Sequence, residues 1–356
     1  LKIIRKNSIF KIGYDVADWF NQYQVFDNTT GARNNGFSST SDEMMTAFSI
    51  MQTMTIAPFQ NIIINSLDYA LKCSGYDETD LYFDQLTPLA ILANQAKDSN
   101  TTIDKVADET NKELDILADT LVKYGAKVHR PDTMDFVARE GMYNYCPRDR
   151  LLIAGDTVVD VNMMYPCRNQ EIEALQSILG DAKIIQMPRD QGMTLDAANI
   201  CRLGDTWLFL ESASGNYPAY LWLKSKFPKI NIELCNFYAG VHIDSTIVPL
   251  RDGLVLLNKS RVNADNCPRA FDGWDKIYIN DVVAQDFYEY PYASKWIGLN
   301  MLALDPHTVI ADAAQTDLHR VLKVHGIDVI PLTLSHSRTL GGGFHCVTLD
   351  TRRKHD

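Results

Sequence analysis

A cysteine and three glycines stand together near the end of this 356-residue chain, where Leu340 to Arg353 reads Leu-Gly-Gly-Gly-Phe-His-Cys-Val-Thr-Leu-Asp-Thr-Arg-Arg. Three glycines let a backbone approach another group without Cβ hindrance, and Cys346, three residues after the last of them, can present sulfur there. The chemistry on offer is nucleophilic attack by a thiolate; the competing reading is one more buried thiol. Phe344 to Leu349 reads as a strand, so His345 would point away from the Cys346 face and serve it poorly as a base. The glycines lack the G-x-G-x-x-G spacing and the Lys-Ser/Thr pair of a phosphate-binding loop, so a nucleotide site is not indicated.

Further polar residues stand in distinctive contexts. His242 and Asp244 lie two apart in Val-His-Ile-Asp, a segment that reads as strand and would put both on one face. Asp196, in Leu-Asp-Ala-Ala-Asn, is a carboxylate among apolar neighbours that needs an imidazole or cation as partner, or a helix to cap. Asp149 in Pro-Arg-Asp sits where a turn would precede a strand at Leu151–Ala154. Ser294 follows Ala293 in Ala-Ser-Lys-Trp, and Arg261 follows Leu-Leu-Asn-Lys-Ser. Cys346 would favour a soft ion, but a metal site needs a further ligand and an open position; no metal and no cofactor is expected.

The elements that must position these residues recur. Leu114, Leu117 and Leu121 form an apolar helical stripe that stops before Gly125, and a strand is expected next, at Ala126–Pro131. A capping box at Thr101 and Asp104 would start that helix. The same event returns at Gly180, Pro228, Gly273 and Gly326, each followed by a β-rich run; the unit at Gly273 lacks a clear preceding helix. These five breakers lie 45 to 55 residues apart, a propeller-like spacing. Each is followed 14 to 24 residues later by one of Asp149, Asp196, His242, Ser294 and Cys346, so a ring of five units would bring all five near its axis. The expected architecture is a single α/β domain over residues 1–356 with a divergent part at 1–100. In that part a polar loop is expected at Asn34–Ser41, a Met-rich helix at Asp42–Met54 and a strand at Gln60–Asn65.

Composition narrows the function classes. With 46% hydrophobic and 22% charged residues the chain is ordinary globular protein, and no apolar run approaches the length of a membrane span. A net charge of -11 argues against a nucleic-acid surface and is compatible with a cationic substrate. Seven cysteines without a Cys-x-x-Cys pair suggest neither a disulfide framework nor a zinc cluster, and the N-terminus carries no secretory signature, so a reducing, cytoplasmic location is expected.

In order along the chain, Pro-Arg-Asp, Leu-Asp-Ala-Ala-Asn, His-Ile-Asp-Ser-Thr, Ser-Lys-Trp and Leu-Gly-Gly-Gly-Phe-His-Cys resemble the L-arginine amidinotransferase family over about Thr101 to Arg353. The resemblance implies a five-bladed, pentein-like α/β propeller with pseudo-fivefold symmetry. It implies that Cys346 is the nucleophile, His242 the acid and base, and Asp196 the carboxylate that orients His242. Asp149 and Asp244 would hold the guanidinium of L-arginine, while Arg261 and Ser294 would bind its carboxylate. The implied reaction is ping-pong: an amidino-cysteine forms, L-ornithine leaves, and an acceptor amine takes the group. Asn236–Val241 departs from the glycine enzyme's pattern, so an acceptor other than glycine is expected. Family habit suggests a homodimer. The alternative activity is an arginine deiminase-like hydrolase, and a third reading is a binding protein without turnover.

Overall fold

A computed structural model describes residues 101–134, 145–164, 166–237, 242–284 and 293–353. The expectations for Asn34–Ser41, Asp42–Met54 and Gln60–Asn65, and the part of the acceptor loop at 238–241, lie outside these residues, as do the side chains of the expected capping box.

Helix α1 (Thr101–Lys123) opens the described chain and stops before Gly125, whose φ of +86° an L-residue rarely adopts. Leu117 is buried, with Leu114 and Leu121 beside it, against Leu302 and Ile310 further along the chain. The strand expected at Ala126–Pro131 does not form. Val128 is the one aliphatic side chain there larger than alanine, and most of the segment is exposed, so a strand would have no face to bury. The short helix α2 (Pro147–Arg150) starts on a proline, whose missing N–H costs nothing at that position.

Four three-stranded sheets follow, each with one topology: an antiparallel hairpin whose second strand pairs in parallel with a third. The first holds β1 (Leu151–Ala154), β2 (Thr157–Asp160) and β3 (Lys183–Gln186). The second holds β4 (Ile200–Leu203), β5 (Thr206–Leu210) and β6 (Asn231–Cys235). The third holds β7 (Ile247–Arg251), β8 (Leu254–Asn258) and β9 (Asp275–Ile279). The fourth holds β10 (Leu302–Asp305), β11 (Thr308–Asp312) and β12 (Asp328–Leu332). The parallel pairings require crossovers. These run through a 3-10 segment with α3 (Gln176–Leu179), through α4 (Tyr217–Lys226), through a single 3-10 turn at Arg269–Phe271, and through α5 (Thr316–Val324). The sparse third crossover agrees with the weak helical pattern before Gly273.

In three of the sheets the second strand, β5, β8 or β11, is apolar along most of its length, as suits a strand covered on both faces; all five residues of β8 are buried. The cores lie between successive sheets: Val159 and Leu152 meet Phe209 and Trp207, Leu208 and Leu210 meet Val255 and Leu257, and Leu256 and Ile277 meet Val309 and Leu322. Burying one such Leu stabilises the fold by about 1.5–3 kcal/mol. Of the five expected units, four sheets are present among the described residues. Among them no helix is long and apolar enough to cross a membrane.

Each sheet is preceded in the chain by a segment that carries polar side chains. Asp149 precedes β1, Asp196 precedes β4, His242 and Asp244 precede β7, and Ser294 and Asn300 precede β10. Short helix α6 (Ser337–Leu340) then leads into the glycines and Cys346.

Candidate active site

Cys346 lies in a turn, not a strand, which corrects the reading of Phe344–Leu349. The Val347 N–H donates to Gly343 O at 3.0 Å and the Thr348 N–H to His345 O at 3.2 Å, curling the chain around the sulfur. The glycines are there for proximity: a Cβ on Gly342 would lie 2.5 Å from Cys146 Sγ and 3.1 Å from Cys346 Cβ, and one on Gly343 would lie 2.8 Å from Asn300 Cβ. Gly341 supplies the left-handed end of α6 at φ +79°. Asn300 Oδ1 accepts from the backbone N–H groups of both His345 and Cys346 at 3.0 Å, and Arg148 Nε donates to His345 O at 2.8 Å. The Cys346 thiol donates to Asp244 Oδ2 at 3.3 Å.

The turn also overturns the argument against His345. Its Nδ1 lies 2.7 Å from the same Asp244 Oδ2, so the two side chains converge on one oxygen instead of pointing to opposite faces. His242 and Asp244 likewise stand in a turn before β7 and not in a strand, with His242 at φ +55°. No other described residue except glycine has a positive φ, and holding an imidazole there costs on the order of 1–3 kcal/mol. That strain aims the ring between two carboxylates: Nε2 is 3.0 Å from Asp196 Oδ2, and Nδ1 is 3.7 Å from Asp149 Oδ1.

Asp196 therefore resolves as a partner of imidazole. It stands at the start of the 3-10 turn Ala197–Asn199, yet its side chain caps nothing there; Oδ1 accepts from Met164 N–H at 3.0 Å. Asp149 sits inside α2, not in a simple turn, and is 2% exposed. Its Oδ2 accepts from Arg168 Nη1 at 2.9 Å, while Oδ1 accepts no hydrogen bond among the described residues. That oxygen faces the His242 ring, 3.7 Å from Nδ1.

The charges explain the protonation states. Burial alone would depress His242, but Asp149, Asp196 and Asp244 outweigh it and raise it to about 9. Burial pushes Asp149 up, against His242 and Arg168. Burial also works against ionised Asp244, yet His345 above all, then His242 and Asn300, hold it well below the usual carboxylate range. The Cys146 thiol beside it, its burial, and the Asp244 and Asp149 charges keep the Cys346 thiol well above its ordinary value. The charge of Asp149 thus bears on both His242 and Cys346.

Arg261 stands next to the Asp244 turn, its Nη1 donating to Thr246 Oγ1 at 2.8 Å and Ser245 Oγ at 3.5 Å. Ser294 Oγ accepts from Trp296 N–H at 3.3 Å at the start of a 3-10 turn, and Ala293 exchanges hydrogen bonds with Arg338. No described contact joins Ser294 to the sulfur or to Arg261. No group of three or more metal-ligating side chains occurs among the described residues.

Five residues of the site escaped the sequence reading. Arg168 and Glu171 were legible as an i, i+3 pair; Glu171 takes Arg168 on both oxygens, at 2.7 and 3.1 Å, and burial lifts it to about 7. Asn300 occupies the place before β10 that Asp149 and Asp196 hold before β1 and β4, so repeat position was its signal. His345 was misjudged with the strand. Cys146 carried no signal.

No family model matches the chain. Its sequence is 40% identical over 285 residues to inosamine-phosphate amidinotransferase 1 of Streptomyces glaucescens, covering 70% of this chain and 82% of that protein. It is 29% identical over 289 residues to the L-arginine:L-lysine amidinotransferase of Pseudomonas savastanoi pv. phaseolicola, covering 69% and 79%. The solved inosamine-phosphate amidinotransferase of Streptomyces griseus superposes with a TM-score of 0.67 at 38% identity, over 71% of this chain and 83% of that one.

Proposed function

This chain belongs to the amidinotransferase family, and from that membership we infer how its residues divide the reaction. The enzyme moves the amidino group of L-arginine to an acceptor amine and releases L-ornithine. The observation that supports the division of roles is the hydrogen bond of the Cys346 thiol to Asp244 beside a histidine, His242, that Asp149 and Asp196 clamp.

Cys346 is the nucleophile. A guanidinium held by Asp149 and Asp244 presents its carbon to sulfur, because a planar cation with five donors matches two carboxylates. Its positive charge also offsets the two negative charges that keep the thiol protonated, so substrate arrival favours the thiolate. Attack forms the bond from sulfur to carbon, and breaking the carbon–nitrogen bond to ornithine requires a proton on the departing nitrogen. His242, raised to about 9, carries that proton at neutral pH, and Asp196 orients it. The neutral imidazole then accepts a proton from the incoming amine. Arg261 and Ser294 are assigned to the carboxylate of arginine; the place of Arg261 next to the Asp244 turn supports its share.

We assign the acceptor to amines larger than glycine. A phosphorylated aminocyclitol is the first candidate, since the inosamine-phosphate enzyme is 40% identical and the lysine enzyme 29%. The four like sheets, with Cys346 at the next repeat position, support a fifth blade and a single propeller domain; homodimer formation rests on family habit.

Incubation with arginine and a panel of amines, followed by mass spectrometry, tests the reading. Ornithine should appear together with an amidinated amine, and an amidino adduct should be trapped on the Cys346 peptide when no amine is added. Citrulline and ammonia from arginine alone would instead establish a hydrolase.

A further inference from the structure

His345 has no part in the reaction as described above, yet it is placed with care. Its backbone is pinned on both sides, the N–H by Asn300 Oδ1 at 3.0 Å and the carbonyl by Arg148 Nε at 2.8 Å. Its ring meets Asp244 at 2.7 Å, on the very oxygen that accepts from the Cys346 thiol at 3.3 Å. Asp244 is 8% exposed, so these two donors reach that oxygen with little competition from water.

We propose that His345 is a positioning residue that acts through Asp244 to set how readily Cys346 gives up its proton. One oxygen serves both donors. While the Nδ1–H of a neutral imidazole donates to Oδ2, part of the carboxylate's charge is engaged, the oxygen is a weaker acceptor for the thiol, and its field at sulfur is reduced. Without that donor the full charge turns on the sulfur, and the thiol holds its proton more tightly. The imidazole stays neutral because burial, then the Arg148 guanidinium, outweigh Asp244 and Asp350 and hold it below its ordinary range. The other groups that reach the sulfur are Cys146 and Asp149, and His242 faces Asp244 from across the site.

The assignment of Cys346 as nucleophile comes from the functional reading above, but the test needs no substrate, so the two can fail separately. The pH dependence of iodoacetamide alkylation is followed on the Cys346 peptide by mass spectrometry in the unaltered enzyme and in two variants. The side-chain amide of His345→Asn falls near the place of Nδ1, whereas that of His345→Gln falls near Nε2. His345→Gln should raise the alkylation midpoint by about one unit, which below the midpoint is about a tenfold slower reaction, and His345→Asn should restore most of it. Equal midpoints in all three proteins, or an equal shift in both variants, would overturn the proposal. Nitrogen NMR of the unaltered enzyme with labelled histidine gives a check that requires no variant to fold: the His345 proton should reside on Nδ1, and a neutral ring with its proton on Nε2 alone would refute the assignment.

Discussion

Two histidines act on Asp244, and their surroundings drive them in opposite directions. His242 is held by charge: Asp149, Asp196 and Asp244 overcome burial and raise it to about 9. His345 meets one carboxylate, and burial together with Arg148 keeps it below its ordinary range. The halves of the site differ in the same way. The His242 half rests on ion pairs reaching back through Arg168 to Glu171, whereas the Cys346 half rests on close packing of Gly342 and Gly343 and on the amide of Asn300. Residue type thus says less about a proton's affinity than the number and sign of the charges that share its burial.

The largest effect should come from the packed half. Cys346→Ala is expected to abolish ornithine release, by at least about 10⁴-fold, with far-UV circular dichroism unchanged, since the sulfur makes the bond and carries little of the core. Retained turnover would refute the roles given to both halves.

Next in size is the charged half. Asp196→Asn should lower kcat by about 10²- to 10⁴-fold, and the alkaline limb of its pH profile should move below that of the unaltered enzyme, because a carboxylate that raises His242 is gone. A loss of rate with an unmoved limb would mean that Asp196 serves structure alone. In the unaltered enzyme the rate of ornithine release should fall as pH rises past about 9, where His242 loses the proton it must deliver.

Gly342→Ala probes packing without touching charge. Its Cβ would lie 2.5 Å from Cys146 Sγ, so the turn must shift, at a cost of about 1–3 kcal/mol in stability and with a loss of rate that leaves the His242 limb in place. An alkaline limb displaced by this substitution would erase the distinction between the halves.

The smallest expected effect is on stability. His242 is raised in the folded state, so its contribution is fully present below about 6.5 and is lost as pH climbs through about 9. Tm against pH over that window should therefore be flatter in His242→Asn than in the unaltered protein, and taking the difference between the two removes the titrations they share. Parallel curves would show that the charged half contributes to proton transfer and not to folding.

The repeat was legible because three residue patterns mark it: an apolar run, a glycine or proline, and a β-rich run. Gly180, Pro228, Gly273 and Gly326 each precede a third strand, β3, β6, β9 and β12. Ala126–Pro131 follows Gly125 but lacks an apolar face, and no strand formed. At the site, the wrong assignments share one cause. Phe344–Leu349 and Val241–Asp244 have β-forming composition, but hydrogen bonds donated to Asn300 Oδ1 and the close approach of Gly342 bend the first, and the second places His242 at positive φ. Tertiary context overrode local propensity where function sits.

By itself the sequence singled out the side chains to which we assign the chemistry: Cys346 behind its glycines, His242 with Asp244, and the aspartates at 149 and 196. Only the tertiary structure decided their partners. That Arg168 holds Asp149, and that His345 and Cys346 share one oxygen of Asp244, depends on contacts between residues 19 and 101 to 102 positions apart. Local pattern encodes which face a residue takes within its own element, whereas charge and hydrogen bonding act through space, between turns that meet only when the sheets have packed.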